Sequence, residues 1–184
     1  MNHTCLLVID MLNDFLDRWD TPTRDSLIQK TNELIGACRK RDLPVIWVRQ
    51  EFKKDLSDAF LEMRDKKISM TISGTRGAQI HSDLDYQETD RLFLKKRYSA
   101  FFQTGLDEEL SKLQVERIIL AGVNTHACIR MAAIDAYQRD LRVILATDCI
   151  DSIDQEHHEI SLRYMSGKIA ITRTNAQIDA TEFT

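Results

Sequence analysis

Short runs of Val, Ile and Leu alternate along this chain with longer segments whose apolar residues recur at helical spacing. Six runs have the length of a strand, and most are apolar throughout, which indicates strands covered on both faces. Successive parallel strands need a crossover, and the intervening helical segments supply one. The sequence therefore predicts an α/β protein with a parallel sheet. The six strands are expected at 5–10, 44–49, 91–95, 117–121, 142–146 and, more weakly, 168–172.

Helical segments fill most of the intervals between these strands. Helices are expected at 24–41, 106–113, 128–140 and 154–167. The interval 51–90 is different, because it is polar and too long for a plain crossover. Long segments of this kind are often lids or binding loops, so substrate specificity is expected to lie there.

Length and charge limit the class of protein. The 184 residues, 43% of them hydrophobic, can bury one sizeable core, so residues 1–184 are expected to form a single domain. With 25 Lys and Arg against 29 Asp and Glu, the chain lacks the basic surface that binds nucleic acid. No apolar run approaches the ~20 residues of a membrane span, so no membrane partner is expected either.

The start of the chain and the spacing of the cysteines indicate the cellular compartment. Residues 1–4 carry no cationic leader of the kind that begins a signal peptide. The cysteines at 5, 38, 128 and 149 lie far apart and form no C-x-x-C pair. They are typical of thiols in a reducing compartment, and we expect a cytoplasmic protein.

Three residues stand where parallel sheets usually bind ligands, at the carboxyl ends of strands. Asp10 ends the first predicted strand, Lys95 ends the third, and Cys128 follows the fourth at the opening of a helix. A thiol at a helix N-terminus is expected to have a lowered pKa and can act as a nucleophile. A carboxylate at a strand end can work as an acid or base, and a lysine can hold it ionised.

Each of these residues also has a plainer interpretation. Cys128 could be a small buried apolar residue, and Asp10 could cap a helix or form a loop salt bridge. Lys95 stands beside Lys96 and Arg97, so it could belong to a solvated basic edge. The three residues together are more informative than any one of them.

The sequence gives no sign of a cofactor. The segment 74–77 reads Gly-Thr-Arg-Gly, which matches neither common glycine-rich phosphate-binding pattern. Nucleotide binding is not expected.

Three blocks of sequence carry a family resemblance. Residues 6–15 (LLVIDMLNDF), 95–101 (KKRYSAF) and 122–128 (GVNTHAC) resemble the isochorismatase-like cysteine hydrolases. Further matches are Ala136-Tyr137, Asp148 and Glu156-His157, and the likeness runs in order from residue 5 to about 172.

The resemblance implies a fold and a site. The fold would be a three-layer α/β/α domain with strand order 3-2-1-4-5-6. The site would be a triad of Asp10, Lys95 and Cys128. A cis peptide is expected before Asn124, and the backbone N–H groups of Asn124 and Cys128 would form an oxyanion hole. Pocket residues within the matching blocks would be Leu12, Phe15, Tyr98 and Asn124, and Leu12 departs from the glutamine that is frequent there.

The implied activity is cleavage of a small amide, urea or carbamoyl C–N bond through a thioacyl enzyme. One alternative is vinyl ether hydrolysis of the isochorismatase type, which uses Asp10 without the thiol. Another is a noncatalytic binding or scaffold protein on the same fold.

The resemblance also bears on metals and partners. Nicotinamidases of the family bind a metal through an Asp-x-His element after strand two, but this chain has Arg-Gln-Glu-Phe at 49–52, so no metal is expected. The expected partners are a small-molecule substrate and further copies of the chain. Phe101, Phe102 and Leu106 are expected to be exposed at a subunit contact.

Overall fold

The computed structural model describes residues 3–181 of the chain, and a parallel sheet of six strands forms their centre. The strand order is β3-β2-β1-β4-β5-β6, with every neighbouring pair parallel. The predicted fold class and strand order are therefore confirmed. The strands are β1 (Thr4–Ile9), β2 (Val45–Gln50), β3 (Arg91–Lys95), β4 (Arg117–Val123), β5 (Arg142–Asp151) and β6 (Ile171–Arg173).

Seven α-helices lie within the described residues. Two of the longer ones begin at aspartate caps, as Asp20 accepts a hydrogen bond from the Thr23 backbone N–H and Asp154 accepts one from that of His157. The helices are α1 (Asn13–Leu16), α2 (Thr21–Arg39), α3 (Leu61–Lys66), α4 (Leu106–Lys112), α5 (Arg130–Tyr137), α6 (Gln155–Met165) and α7 (Asn175–Thr181). A 3-10 turn at Arg76–Ala78 and a π-helical turn at Thr125–Ile129 complete the elements.

The central strand β1 shows how the layers form. It is buried along its whole length, and its side chains alternate between the two faces. Leu6 and Val8 pack in the apolar cluster that includes α2 and α7, while Leu7 and Ile9 pack in the cluster that includes α4, α5 and the end of α6. Helices therefore cover both faces of the sheet, as the continuous apolar strands predict.

The segment between β2 and β3 has a small core of its own. Phe52, Ala59, Met63 and Ile72 form this core beside the main sheet. The Phe52 backbone N–H donates to the Thr71 carbonyl at 2.8 Å, which closes the loop on itself. The segment then leads into β3, which begins at Arg91.

Some expectations are wrong in detail. Phe101 and Leu106 are buried in the core, so neither is available at the surface, whereas Phe102 is half exposed. β5 runs five residues further than predicted, which places Asp148 inside the strand instead of after it. Helices α1, α3 and α7 were not predicted. None of the helices within residues 3–181 combines the length and apolar character required to cross a bilayer.

Candidate active site

Asp10 is placed by the turn that follows β1. Its φ of 57° puts it in the left-handed region, and its own N–H donates to the Val48 carbonyl at 2.9 Å. The Gln50 backbone N–H donates to Asp10 Oδ1 at 2.7 Å. The side chain has no exposed surface, and these backbone contacts fix where its carboxylate lies.

Lys95 reaches this carboxylate from two strands away. It ends β3, which is separated from β1 by β2, and its side chain is fully buried. Lys95 Nζ lies 2.7 Å from Asp10 Oδ2, 3.1 Å from the Arg97 carbonyl oxygen and 3.3 Å from Cys128 Sγ. Lys95 Nζ thus donates hydrogen bonds to the Arg97 carbonyl oxygen and to Cys128 Sγ, and it forms an ion pair with Asp10.

Cys128 comes from the chain that follows β4, the strand next to β1 on the side away from β2. It lies in the π-helical turn Thr125–Ile129 just before α5, and 4% of its surface is exposed. Its thiol accepts a hydrogen bond from the Lys95 ammonium, and the Asp10 carboxylate is near enough to act on the thiol pKa. The structure thus brings the three predicted residues into one group of contacts.

The electrostatics of this group correct one expectation. Burial raises the pKa of the Cys128 thiol to about 12, an effect that the Lys95 charge opposes and the Asp10 charge reinforces. The lowered thiol pKa expected at a helix N-terminus is therefore wrong, because burial raises the pKa by more than the Lys95 charge lowers it. For Lys95, burial acts to lower the pKa, but the neighbouring Asp10 and Cys128 hold it above its ordinary value.

The turn before Cys128 depends on a close approach of two strands. Gly122 pairs in register with Ile9, and a Cβ at Gly122 would lie 1.9 Å from the Ile9 carbonyl oxygen. Its φ of 123° also favours glycine. The peptide between Val123 and Asn124 is cis, as the resemblance implies. Glycine thus lets the Asn124 turn lie beside Asp10.

A pocket of about 280 Å³ opens onto Cys128. Its lining is mostly apolar and aromatic, with Arg18, Glu62 and His126 as the residues besides the cysteine that carry acidic or basic side chains, and Tyr98 as a phenol. The remaining lining residues are Phe15, Trp19, Gln50, Phe60, Met63, Ile68, Met70, Tyr98, Asn124, Ala127 and Ile153. A small ligand with an apolar body would fit such a lining.

The predicted pocket residues divide into two groups. Phe15, Tyr98 and Asn124 line the pocket, and Tyr98 is half exposed. Leu12 is fully buried and lies outside the lining, where it bridges to Ile80. The segment 51–90 supplies Phe60, Glu62, Met63, Ile68 and Met70 to the wall, and its bearing on specificity stays a prediction.

Sequence reasoning missed several lining residues. Gln50 ends β2 at the same edge of the sheet as Asp10 and Lys95, but the predicted strand ended one residue earlier, so the strand-end criterion did not reach it. Trp19, Phe60 and Ile153 carry no such signal, because only the folded chain brings them to the pocket.

Residues 49–52, at the end of β2, stand where the resemblance would put a metal-binding Asp-x-His element. Arg49 forms a 2.8 Å ion pair with Glu51, so a guanidinium engages the carboxylate of this stretch. Across residues 3–181 no group of three or more His, Cys, Asp and Glu side chains is arranged to hold a metal ion.

Comparison with known proteins identifies relatives along almost the whole chain. The family model described as the isochorismatase domain matches residues 4–177. A probable inactive nicotinamidase of Arabidopsis thaliana is 32% identical over 169 residues, which are 87% of this chain and 86% of that protein.

Solved structures agree on the fold. An isochorismatase family protein from Desulfovibrio vulgaris superposes with a TM-score of 0.89 at 24% identity, covering 98% of each chain. N-carbamoylsarcosine amidase from Thermoplasma acidophilum gives a TM-score of 0.78 at 25% identity, covering 94% of this chain and 96% of that one.

Proposed function

This chain belongs to the isochorismatase family, and on that premise we propose that it hydrolyses a C–N bond of a small amide, urea or carbamoyl compound through an acyl intermediate on Cys128. The observation that carries the proposal is the position of Lys95 Nζ, 2.7 Å from Asp10 Oδ2 and 3.3 Å from Cys128 Sγ. A base, a nucleophile and a cation in contact beside a pocket are the parts that nucleophilic catalysis requires.

The raised pKa of Cys128 makes the base necessary. The thiol is protonated at neutral pH, so the Asp10 carboxylate takes its proton as the sulfur attacks the substrate carbonyl. The backbone N–H groups of Asn124 and Cys128 would hold the oxyanion. Lys95 stays protonated and offsets the negative charge that passes between sulfur and carboxylate.

The second half of the reaction returns the enzyme to its starting state. Asp10 gives the proton to the departing nitrogen, which leaves as an amine or ammonia and yields a thioester on Cys128. Asp10 then takes a proton from water, whose oxygen attacks the thioester carbon. When this intermediate collapses, the proton returns to the sulfur and a carboxylic or carbamic acid is released.

A second candidate is vinyl ether hydrolysis with Asp10 as the acid and no role for the thiol. The observation that favours it is the burial of Cys128, which raises its pKa and disfavours a free thiolate. The 32% identical Arabidopsis protein is named as a probable inactive nicotinamidase, so a noncatalytic role is the third candidate function.

The deciding experiment compares wild type with Cys128→Ala on a panel of small amides, ureas, carbamoyl compounds and isochorismate. Release of ammonia or amine is measured beside release of pyruvate, and intact mass is monitored for an acyl adduct. The proposal expects nitrogen release that Cys128→Ala abolishes, with Cys149→Ala as a matched control that keeps it. Pyruvate release that survives Cys128→Ala supports the vinyl ether reaction.

A further inference from the structure

Gln50 is a buried residue of the site to which the proposed mechanism gives no role. It ends β2 in register with Lys95, and its backbone N–H holds Asp10 Oδ1 at 2.7 Å. Because side chains alternate along a strand, Gln50 projects on the same face as Ile46 and Val48, which pack in the cluster containing Cys128. Its side chain lines the pocket beside Cys128.

The orientation of the Gln50 amide follows from its partner, Thr71. Gln50 Nε2 lies 3.2 Å from Thr71 Oγ1, while the same hydroxyl donates to the Met70 carbonyl at 2.8 Å. A threonine hydroxyl has a single hydrogen, so towards Gln50 it can only accept. The group that faces Thr71 must therefore be the NH₂, and the Gln50 oxygen points away from it.

That oxygen is open to a ligand. Among residues 3–181 no group donates a hydrogen bond to Gln50 Oε1. Among residues 3–181 it is also not one of the fully buried polar atoms that lack a partner, so part of its surface is accessible, and Gln50 lines the pocket. An unpaired carbonyl oxygen in a mostly apolar wall favours a ligand that brings an N–H or O–H.

In the proposed reaction, an N–H of the substrate would lie next to Gln50 Oε1. The departing nitrogen must come within reach of Asp10 to receive a proton, and Asp10 is held by the backbone of Gln50 itself. As the nitrogen gains that proton its remaining hydrogens become more positive, and a hydrogen bond to Gln50 Oε1 strengthens. An ester or vinyl ether oxygen has no hydrogen to offer and would face the glutamine oxygen unfavourably.

We infer that Gln50 Oε1 accepts a hydrogen bond from the scissile nitrogen of the substrate, and that Gln50 thereby selects primary amides and ureido groups over analogues that have no N–H at that position. This inference rests on the proposed function for the identity of the reacting bond. Thr71 acts through Gln50 and is a positioning residue, because its hydroxyl fixes which end of the amide faces the pocket.

The test measures binding in a Cys128→Ala background, where no turnover consumes the ligand. Benzamide is the probe, and acetophenone is its matched analogue with a methyl group in place of the NH₂. We expect benzamide to bind about tenfold more tightly than acetophenone, the effect of one hydrogen bond to an otherwise unpaired group. Adding Gln50→Met should weaken benzamide by about tenfold and change acetophenone less than twofold.

Thr71→Val provides a second variant that keeps the glutamine. Without the hydroxyl the amide is free to turn, and the preference for benzamide should fall towards parity. Thr75→Val is its control, since the Thr75 hydroxyl also donates to a backbone carbonyl, that of Ile72 at 2.7 Å, but does not contact Gln50. It should leave the preference unchanged.

Three results would overturn the inference: equal affinity for both probes, an equal loss for both in Gln50→Met, or no binding of either probe. None of these readouts requires the thiol. A failure of the proposed function would instead appear as an absence of Cys128-dependent nitrogen release in the wild type, so the two failures are distinguishable.

Discussion

Lys95 Nζ lies 2.7 Å from Asp10 Oδ2, and neither side chain has any exposed surface. Burial removes the hydration of both charges, and only their attraction to each other offsets this cost in free energy. The stability of the fold and the chemistry of the site are therefore linked through the same contact.

The first prediction concerns this pair. Asp10→Asn and Lys95→Met should each lower the free energy of unfolding by about 3–5 kcal/mol, because each leaves a buried charge without its partner. The double variant should lose clearly less than the sum, since no charge then remains. Urea unfolding of the four proteins measures this coupling, and strictly additive losses would contradict it.

The second prediction concerns the reactivity of Cys128. The Lys95 charge lowers the thiol pKa against the effect of burial, so Lys95→Met should move the alkaline limb of Cys128 alkylation to higher pH. At a fixed pH the rate of iodoacetamide labelling should fall roughly tenfold. Mass spectrometry reads Cys149 in the same sample. Cys149 is fully buried and Lys95 is not among the causes of its raised pKa, so its labelling rate reports opening of the fold, and the Cys128 rate is compared after division by it.

The third prediction is a loss of stability in alkali. Burial raises the pKa of Cys38, Cys128 and Cys149 from 9.0 to about 12, and that of Cys5 further still. Above pH 9 the thiols ionise in the unfolded chain but stay protonated in the native one, so the native state binds more protons and stability falls as pH rises towards 12. Each thiol contributes about 1.4 kcal/mol per pH unit in that window.

Urea unfolding at a series of pH values from about 8 upwards measures this slope. Cys38→Ala removes one thiol. The fall in the free energy of unfolding per pH unit should therefore be smaller by about 1.4 kcal/mol, whatever the stability of the variant at neutral pH. A free energy of unfolding that stays level from pH 9 upwards would show that the thiols titrate alike in both states.

The fourth prediction compares two glycines. Gly122→Ala should destabilise the protein by more than ~3 kcal/mol or prevent folding, because its Cβ would lie 1.9 Å from the Ile9 carbonyl oxygen at a φ that favours glycine. Gly36 lies inside α2 with nothing within 4 Å of an added Cβ. Gly36→Ala should stabilise by about 0.5–1 kcal/mol. Thermal unfolding of both variants is the measurement, and similar effects at the two positions would be inconsistent with the close approach.

Much of the fold could be predicted from the sequence because buried parallel strands must be apolar on both faces. The runs that contain Leu7 and Ile119 have no polar alternation, and both strands are indeed covered by helices on each side. Helices α1, α3 and α7 were missed, and each is four to seven residues long and carries little periodic signal.

Residues of the candidate site were predictable where their position along a strand determines their place in the fold. Asp10 and Lys95 stand at strand ends, and that fact alone places them at one edge of a parallel sheet. The pKa of Cys128 was not predictable, because the degree of burial depends on residues far away in sequence. The same holds for Phe60, whose place in the pocket wall depends on a loop closed between Phe52 and Thr71.

The three contacts of the Lys95 ammonium have a consequence for the end of a reaction cycle. An acid freed at Cys128 ionises in neutral solution and then faces the anion of Asp10, while the nearby ammonium is already engaged by Asp10, the Arg97 carbonyl and Cys128. Electrostatic repulsion would expel it from the bottom of the cavity. A hydrolase built this way should suffer little product inhibition by the acid it makes.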